Sequence, residues 1–108
     1  MTVNELMERT NLKAAALPAG EREVDGVYIG DLLSWVMGRA QADQAWITIM
    51  SNNNIVAVAT LADSACIILA EGVMPDEGVT ELAQTKGINL LLSERSAYET
   101  ALALAENL

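Results

Sequence analysis

Four short polar clusters hold the side chains best suited to chemistry: Gly30-Asp31, Ser51-Asn52-Asn53-Asn54, Glu71-Gly72 and Ser93-Glu94. Their hydroxyls, amides and backbone N–H groups suit a polar or anionic group, above all where a helix begins. The same residue types also cap helices with no ligand, because a short polar side chain bonds the first free amides of the helix. Catalysis has less to draw on. The chain contains no His, so the commonest general base and metal ligand are both missing. Catalysis would have to rest on carboxylates, Ser, Tyr or Lys; an enzyme with Asp31 or Glu71 as its base is a third reading, behind two non-enzymatic ones. Asp76-Glu77 is read as the start of a helix, where acids serve the helix dipole, and Glu94-Arg95 as a solvated local pair. No catalytic residue, metal site or cofactor is expected.

Three apolar runs must position these clusters: Trp46 to Met50, Ala65 to Ala70, and Ile88 to Leu92. Each is too short for an ordinary helix and each ends in turn chemistry, with room for one short helix between neighbours. That spacing predicts parallel strands joined by crossover helices. Ile55 to Ala62 is ambiguous by itself. Val56, Val58 and Thr60 alternate as in a strand, whereas Ile55, Val58, Ala59 and Ala62 make a helical stripe. The need for a crossover decides for a helix.

Elsewhere the signals are local. Thr2 with Glu5 fits a capping box, with Val3, Leu6, Met7 and Thr10 on one face. Leu12 to Leu17 is a weak strand, ended by Pro18 and Gly20. Glu21 to Ile29 reads as strand around Val24, Val27 and Ile29, with Asp25-Gly26 a turn or bulge. Asp31 is expected to cap a helix bearing Leu32, Leu33, Val36, Met37 and Ala40. Pro75-Asp76-Glu77 opens a helix with Val79, Leu82 and Ala83 inward, stopped by Gly87. Ser96 with Glu99 is a second capping box, before a stripe of Tyr98, Leu102, Ala105 and Leu108. The reading is a single α/β domain over residues 1–108, its mainly parallel sheet flanked by helices.

Composition narrows the partners. A formal net charge of −9, from six Lys and Arg against fifteen Asp and Glu, argues against nucleic acid and anionic membranes, which need clustered cations. Cys66 stands alone inside an apolar run, so a buried structural thiol is expected and no disulfide. The acids and Arg9 near the N-terminus leave no apolar core for a signal peptide, and no run reaches transmembrane length. A cytoplasmic protein is expected. Trp35 reads either as a partly exposed interface residue near Met37 and Met74 or, with Trp46, as an edge of the core; the core-edge reading is taken. Dimer formation would suit the Leu- and Ala-rich helices.

The order of apolar strand, polar turn, small-residue helix, strand ending in Glu71-Gly72, Pro75-Asp76-Glu77 helix, strand and Ser96-Ala97-Tyr98-Glu99 helix resembles the DRTGG domain. Gly26-Val27-Tyr28-Ile29-Gly30-Asp31-Leu32-Leu33-Ser34 is also similar to stand-alone bacterial members. The resemblance covers the chain from about residue 5. It implies a fold like the N-terminal domain of HPr kinase/phosphorylase. It also implies an accessory role, since such domains occur beside phosphotransacetylase, CBS and cobyrinic-acid-synthase-like domains, and alone beside hydrogenase and electron-transfer genes. The family's namesake motif should follow the first central strand, where this chain has Ser51 to Asn54 and lacks the acid, arginine and glycines. No G-x-x-x-x-G-K-[ST] phosphate loop is present, which argues against phosphoryl transfer.

Ligands of open parallel sheets bind beyond the carboxyl ends of the strands, near a switch in strand order. Gly30, Asp31, Ser51, Asn52, Asn53, Asn54, Glu71, Gly72 and Ser93 are therefore the candidate ligand-binding residues. The resemblance implies a non-enzymatic regulatory or small-ligand-sensing domain, often dimeric, with a redox enzyme as a candidate partner. The alternative is a homodimeric adaptor that works through protein contacts alone.

Overall fold

In the computed structural model, which describes residues 1–108, the chain opens as its first capping box dictates. Thr2 Oγ1 accepts from the Glu5 N–H at 3.2 Å and Glu5 Oε1 accepts from the Thr2 N–H at 3.0 Å. These bonds start α1 (Val3–Thr10) and hold the Glu5 carboxyl below its usual range. Val3, Leu6 and Thr10 are buried along one face, as the three-to-four spacing requires. Asn11 ends the helix in the left-handed conformation, and β1 (Lys13–Ala16) follows.

The remaining elements alternate: β2 (Val27–Ile29), α2 (Leu33–Arg39), β3 (Ala45–Thr48), α3 (Asn54–Ala62), β4 (Cys66–Leu69), α4 (Val79–Lys86), β5 (Leu90–Leu92) and α5 (Ala97–Ala105). They build one five-stranded sheet in the order β1-β5-β4-β3-β2. Strands β2 to β5 are parallel neighbours, in register Tyr28 with Trp46, Trp46 with Ile67, and Ile67 with Leu90. β1 runs antiparallel to β5, placing Lys13 beside Leu92.

Two cores fill the two faces of the sheet, because successive side chains in a strand point to opposite sides. Trp46, Ile67, Leu69 and Leu90 pack with Val36, Ile55, Val56, Val58, Ala59, Val79 and Ala83 from α2, α3 and α4. Ala45, Ile47, Cys66, Ile68 and Leu91 pack with Val3, Leu6 and Leu104 from α1 and α5. The three crossover helices thus share one face, as crossovers of one hand do when strands are laid down in sequence. Every residue of β3 and β4 is buried, which is why these runs are apolar but for Thr48, whose hydroxyl is bonded to Asp31. Cys66 lies among them, its thiol pushed up to about 12 by burial.

Several local expectations need correction. Residues 21–26 form no strand of the main sheet; Glu23 makes only an isolated bridge to Thr2. Asp31 does not cap α2, whose N-cap is Leu32 with no side-chain bond. On α2 only Val36 is fully buried, and Leu32 and Met37 are exposed, because a short helix beside an edge strand has little sheet to cover. α4 begins after Gly78, at φ 85°; Pro75-Asp76-Glu77 is the turn before it. The asparagines turn the chain into α3 without a side-chain bond from the N-cap Asn53; instead Asn52 Oδ1 accepts from the Asn54 N–H at 2.9 Å.

The inward face of α5 is also opposite to expectation. The second capping box forms, but Tyr98, Leu102, Ala105 and Leu108 are exposed while Thr100 and Leu104 are buried. Two apolar stripes compete on this helix. The one with small side chains lets it lie close to the sheet, and the Thr100 hydroxyl finds a buried partner in Ser93 Oγ at 2.8 Å. A lone buried hydroxyl would be costly, so this pairing selects the face. Trp35 is 53% exposed, stacked under the Arg39 guanidinium, whereas Trp46 is wholly buried. The core-edge reading therefore fails for Trp35. No helix is long and apolar enough to cross a membrane.

Candidate functional site

The parallel strands send all four polar clusters to one edge of the sheet, and there the structure separates them. Gly30 and Asp31 follow β2. The Gly30 carbonyl accepts from Trp46 Nε1 at 2.9 Å, and Asp31 Oδ1 accepts from Thr48 Oγ1 at 2.8 Å and from the Ile49 N–H at 3.0 Å. Asp31 thus ties the ends of β2 and β3 together. Ser51 donates its hydroxyl to Asp76 Oδ1 at 2.8 Å, joining the turns before α3 and α4. Asn52 and Asn54 form the turn described above, and Asn53 lines a shallow apolar groove with Val56, Ala57, Thr60, Leu61, Leu82 and Lys86.

Glu71 and Gly72 follow β4, both with positive φ, at 63° and 73°. That turn folds back on β5: the Glu71 N–H donates to the Arg95 carbonyl at 2.8 Å and the Gly72 N–H to the Ser93 carbonyl at 3.0 Å. Glu71 Oε2 accepts from the Ala97 N–H at 2.9 Å, so its carboxylate supports the start of α5, where negative charge is favoured. Ser93 is buried, bonded to Thr100 and accepting from the Arg95 N–H at 3.2 Å.

Only Gly72 and Ser93 of the nine candidates share a concavity. It is a cleft of about 330 Å³ whose walls also include Asn11, Lys13, Val73, Met74, Leu92, Glu94 and Arg95. Its place is informative. Strands β2 to β5 advance in one direction, and the single departure from that order is the β1–β5 step. The cleft opens there, beyond the carboxyl end of β5, the side of the sheet on which ligands of open parallel sheets bind.

Lys13 and Arg95 were not among the candidate ligand-binding residues. Lys13 starts a strand whose direction is set by its tertiary partner, so nothing local places it at a carboxyl edge. Arg95 is not paired with Glu94, as the sequence suggests; its Nη1 donates to the Thr10 carbonyl at 2.9 Å, at the end of α1. All ion pairs within 4 Å involve the N-terminal amine or Arg22, so Lys13 and Arg95 have no acidic partner. Arg22 lies at the opposite edge, bonded to Asp43 and Asp63 at 2.9 and 2.8 Å. No three acidic or Cys side chains are grouped to hold a metal ion.

The DRTGG domain model matches residues 5–107. Among solved structures, the chain is similar to the CBS and DRTGG domains of the regulatory region of Clostridium perfringens pyrophosphatase, complexed with the activator diadenosine tetraphosphate. That likeness has a TM-score of 0.73 at 12% identity and covers 99% of this chain and 47% of the other. The chain thus spans about half of that structure. No curated protein matches the sequence.

Proposed function

The chain belongs to the DRTGG domain family, and from this we propose that it is a regulatory domain that senses a small ligand rather than an enzyme. The observation that carries the reading is the cleft at the β1–β5 break, lined by Gly72 and Ser93 and flanked by two cations without acidic partners. The similar clostridial structure is a regulatory region complexed with a nucleotide activator, which supports nucleotides as the first compounds to test. Gly30, Asp31, Ser51 and Glu71 are committed to internal hydrogen bonds; in this reading they shape the edge and do not touch the ligand. The regulated protein is an associated metabolic enzyme, with electron-transfer enzymes the first to examine, in the cytoplasm.

Thermal unfolding in the presence of nucleotides, diadenosine tetraphosphate and central metabolites tests the reading. A ligand at one hundred times its Kd raises stability by about 2.7 kcal/mol, a shift of roughly 10 °C for a domain of this size. A panel with no compound that raises the melting temperature would overturn it.

A second reading, a homodimeric adaptor, is favoured by exposed apolar side chains around the carboxyl ends of β2 and β3: Ile29, Leu32, Trp35, Met37 and Ile49. Grouped exposure of this kind marks interaction surfaces. Light scattering during size-exclusion chromatography decides it. A dimer abolished by Trp35→Glu supports the adaptor, and a monomer at high concentration removes it.

A further inference from the structure

We propose that the cleft holds an oxyanion, a phosphate ester or a carboxylate, joined to a small apolar body, with Lys13 and Arg95 as its clamp; this rests on the ligand-sensing reading above. In a chain of net charge −9, the cleft gathers Lys13 and Arg95 against the single acid Glu94. A local excess of positive charge in an acidic protein is directed at something anionic.

The two cations are placed differently. The strand register sets the Lys13 backbone opposite Leu92 and leaves its side chain exposed. Arg95 is held at three points: its N–H on Ser93 Oγ, its carbonyl on the Glu71 N–H, and Nη1 on the Thr10 carbonyl. Its Nε and Nη2 donate to nothing in the chain, which leaves guanidinium donors for a planar or tetrahedral oxyanion. The backbone N–H groups of Met74 and Glu94 likewise have no intramolecular acceptor. Val73, Met74 and Leu92 add an apolar wall. The volume of about 330 Å³ is at the lower end of the 300–1,000 Å³ usual for ligand sites, so the body is small, of the order of one ring system. Because Arg95 also grips the end of α1, occupancy of the cleft would be felt in the α1–β1 corner.

The test follows backbone amide shifts of the full chain during titration with phenyl phosphate, inorganic phosphate, benzoate and benzyl alcohol. Phenyl phosphate should shift Gly72, Met74, Glu94 and Arg95, bind more tightly than inorganic phosphate, and weaken as sodium chloride is raised. Lys13→Gln, at an exposed position, and Arg95→Lys should each weaken it about tenfold, the loss expected for one charge-assisted contact. Benzoate with the same dependence on the two variants would support the clamp and identify a carboxylate as its anion. Binding of either anion unchanged in both variants, or benzyl alcohol binding as well as phenyl phosphate, would overturn it. If uncharged compounds from the thermal panel shift these amides while the anions do not, the anion assignment fails and ligand sensing stands. If no compound of either kind shifts these amides, the clamp fails, and ligand sensing fails with it when no compound raises the melting temperature either.

Discussion

Replacing Asn89 tests how the amino edge of the sheet is held. Its side chain is buried, 1% exposed, and bonds three main-chain groups. Oδ1 accepts from the Ala19 N–H at 2.9 Å, and Nδ2 donates to the Ala19 and Ala65 carbonyls, both at 2.9 Å. One amide thereby fastens the Pro18–Gly20 turn to the start of β4. We predict that Asn89→Ala costs about 2 to 3 kcal/mol, at about 1 kcal/mol for each lost bond. The lower figure applies because Ala19 is half-buried and its carbonyl keeps the Arg22 N–H at 3.1 Å. At roughly 4 °C per kcal/mol the melting temperature falls by about 8 to 12 °C.

Asn89→Asp separates hydrogen bonding from simple volume loss. An ionised carboxylate there can accept from Ala19 N–H but confronts two carbonyls, so at pH 7 this variant should be less stable than Asn89→Ala. Burial raises the pKa of the introduced acid in the folded state. The folded protein then takes up its proton before the unfolded chain does, and stability is regained as pH falls from 7 towards about 4. Urea unfolding monitored by tryptophan fluorescence at pH 7 and pH 5 measures both effects. A loss below about 1 kcal/mol for the Ala variant, or identical pH dependence for the two variants, would refute the reasoning.

Glu71 combines a helix-supporting carboxylate with a left-handed backbone. We predict that Glu71→Ala lowers stability by about 1 kcal/mol, while Glu71→Gly, which relieves the positive φ as it removes the carboxylate, is close to neutral; urea midpoints would show the difference. The Cys66 thiol, pushed up to about 12, should resist thiol reagents at pH 8 until the chain unfolds. Above pH 9 the unfolded thiol ionises and the folded one does not. Stability should therefore fall with rising pH, by up to about 1.4 kcal/mol per unit from this group, and comparison of wild type with Cys66→Ala between pH 8.5 and 10.5 measures that share. Leu6→Ala, which empties a fully buried position under α1, should cost about 2 to 5 kcal/mol in the same assay.

Most of the element order was legible because its signals are local. The capping boxes at Thr2 and Ser96, the left-handed stop at Gly87 and the apolar runs of β3, β4 and β5 each depend on residues within a few positions. The helical assignment of Ile55 to Ala62 needed one further rule, that parallel strands require a crossover, and it holds. The candidate residues were chosen by side-chain type, and type alone does not say what a side chain bonds. Asp31, Ser51 and Glu71 have the chemistry of ligand contacts, yet each meets an internal hydrogen-bond partner across 17 to 26 residues of chain.

By itself the sequence determined an α/β domain with parallel central strands and their polar ends on one edge, because periodicity and capping are short-range properties. Two matters were left to the tertiary structure. α5 carries two apolar stripes, and only the buried partner of Thr100 chose between them. The cleft exists because β1 pairs antiparallel with β5, which carries Lys13 to the carboxyl edge, 82 positions along the chain from Arg95. Neither residue's neighbours in sequence encode that meeting, since strand direction is decided by the partner a strand finds.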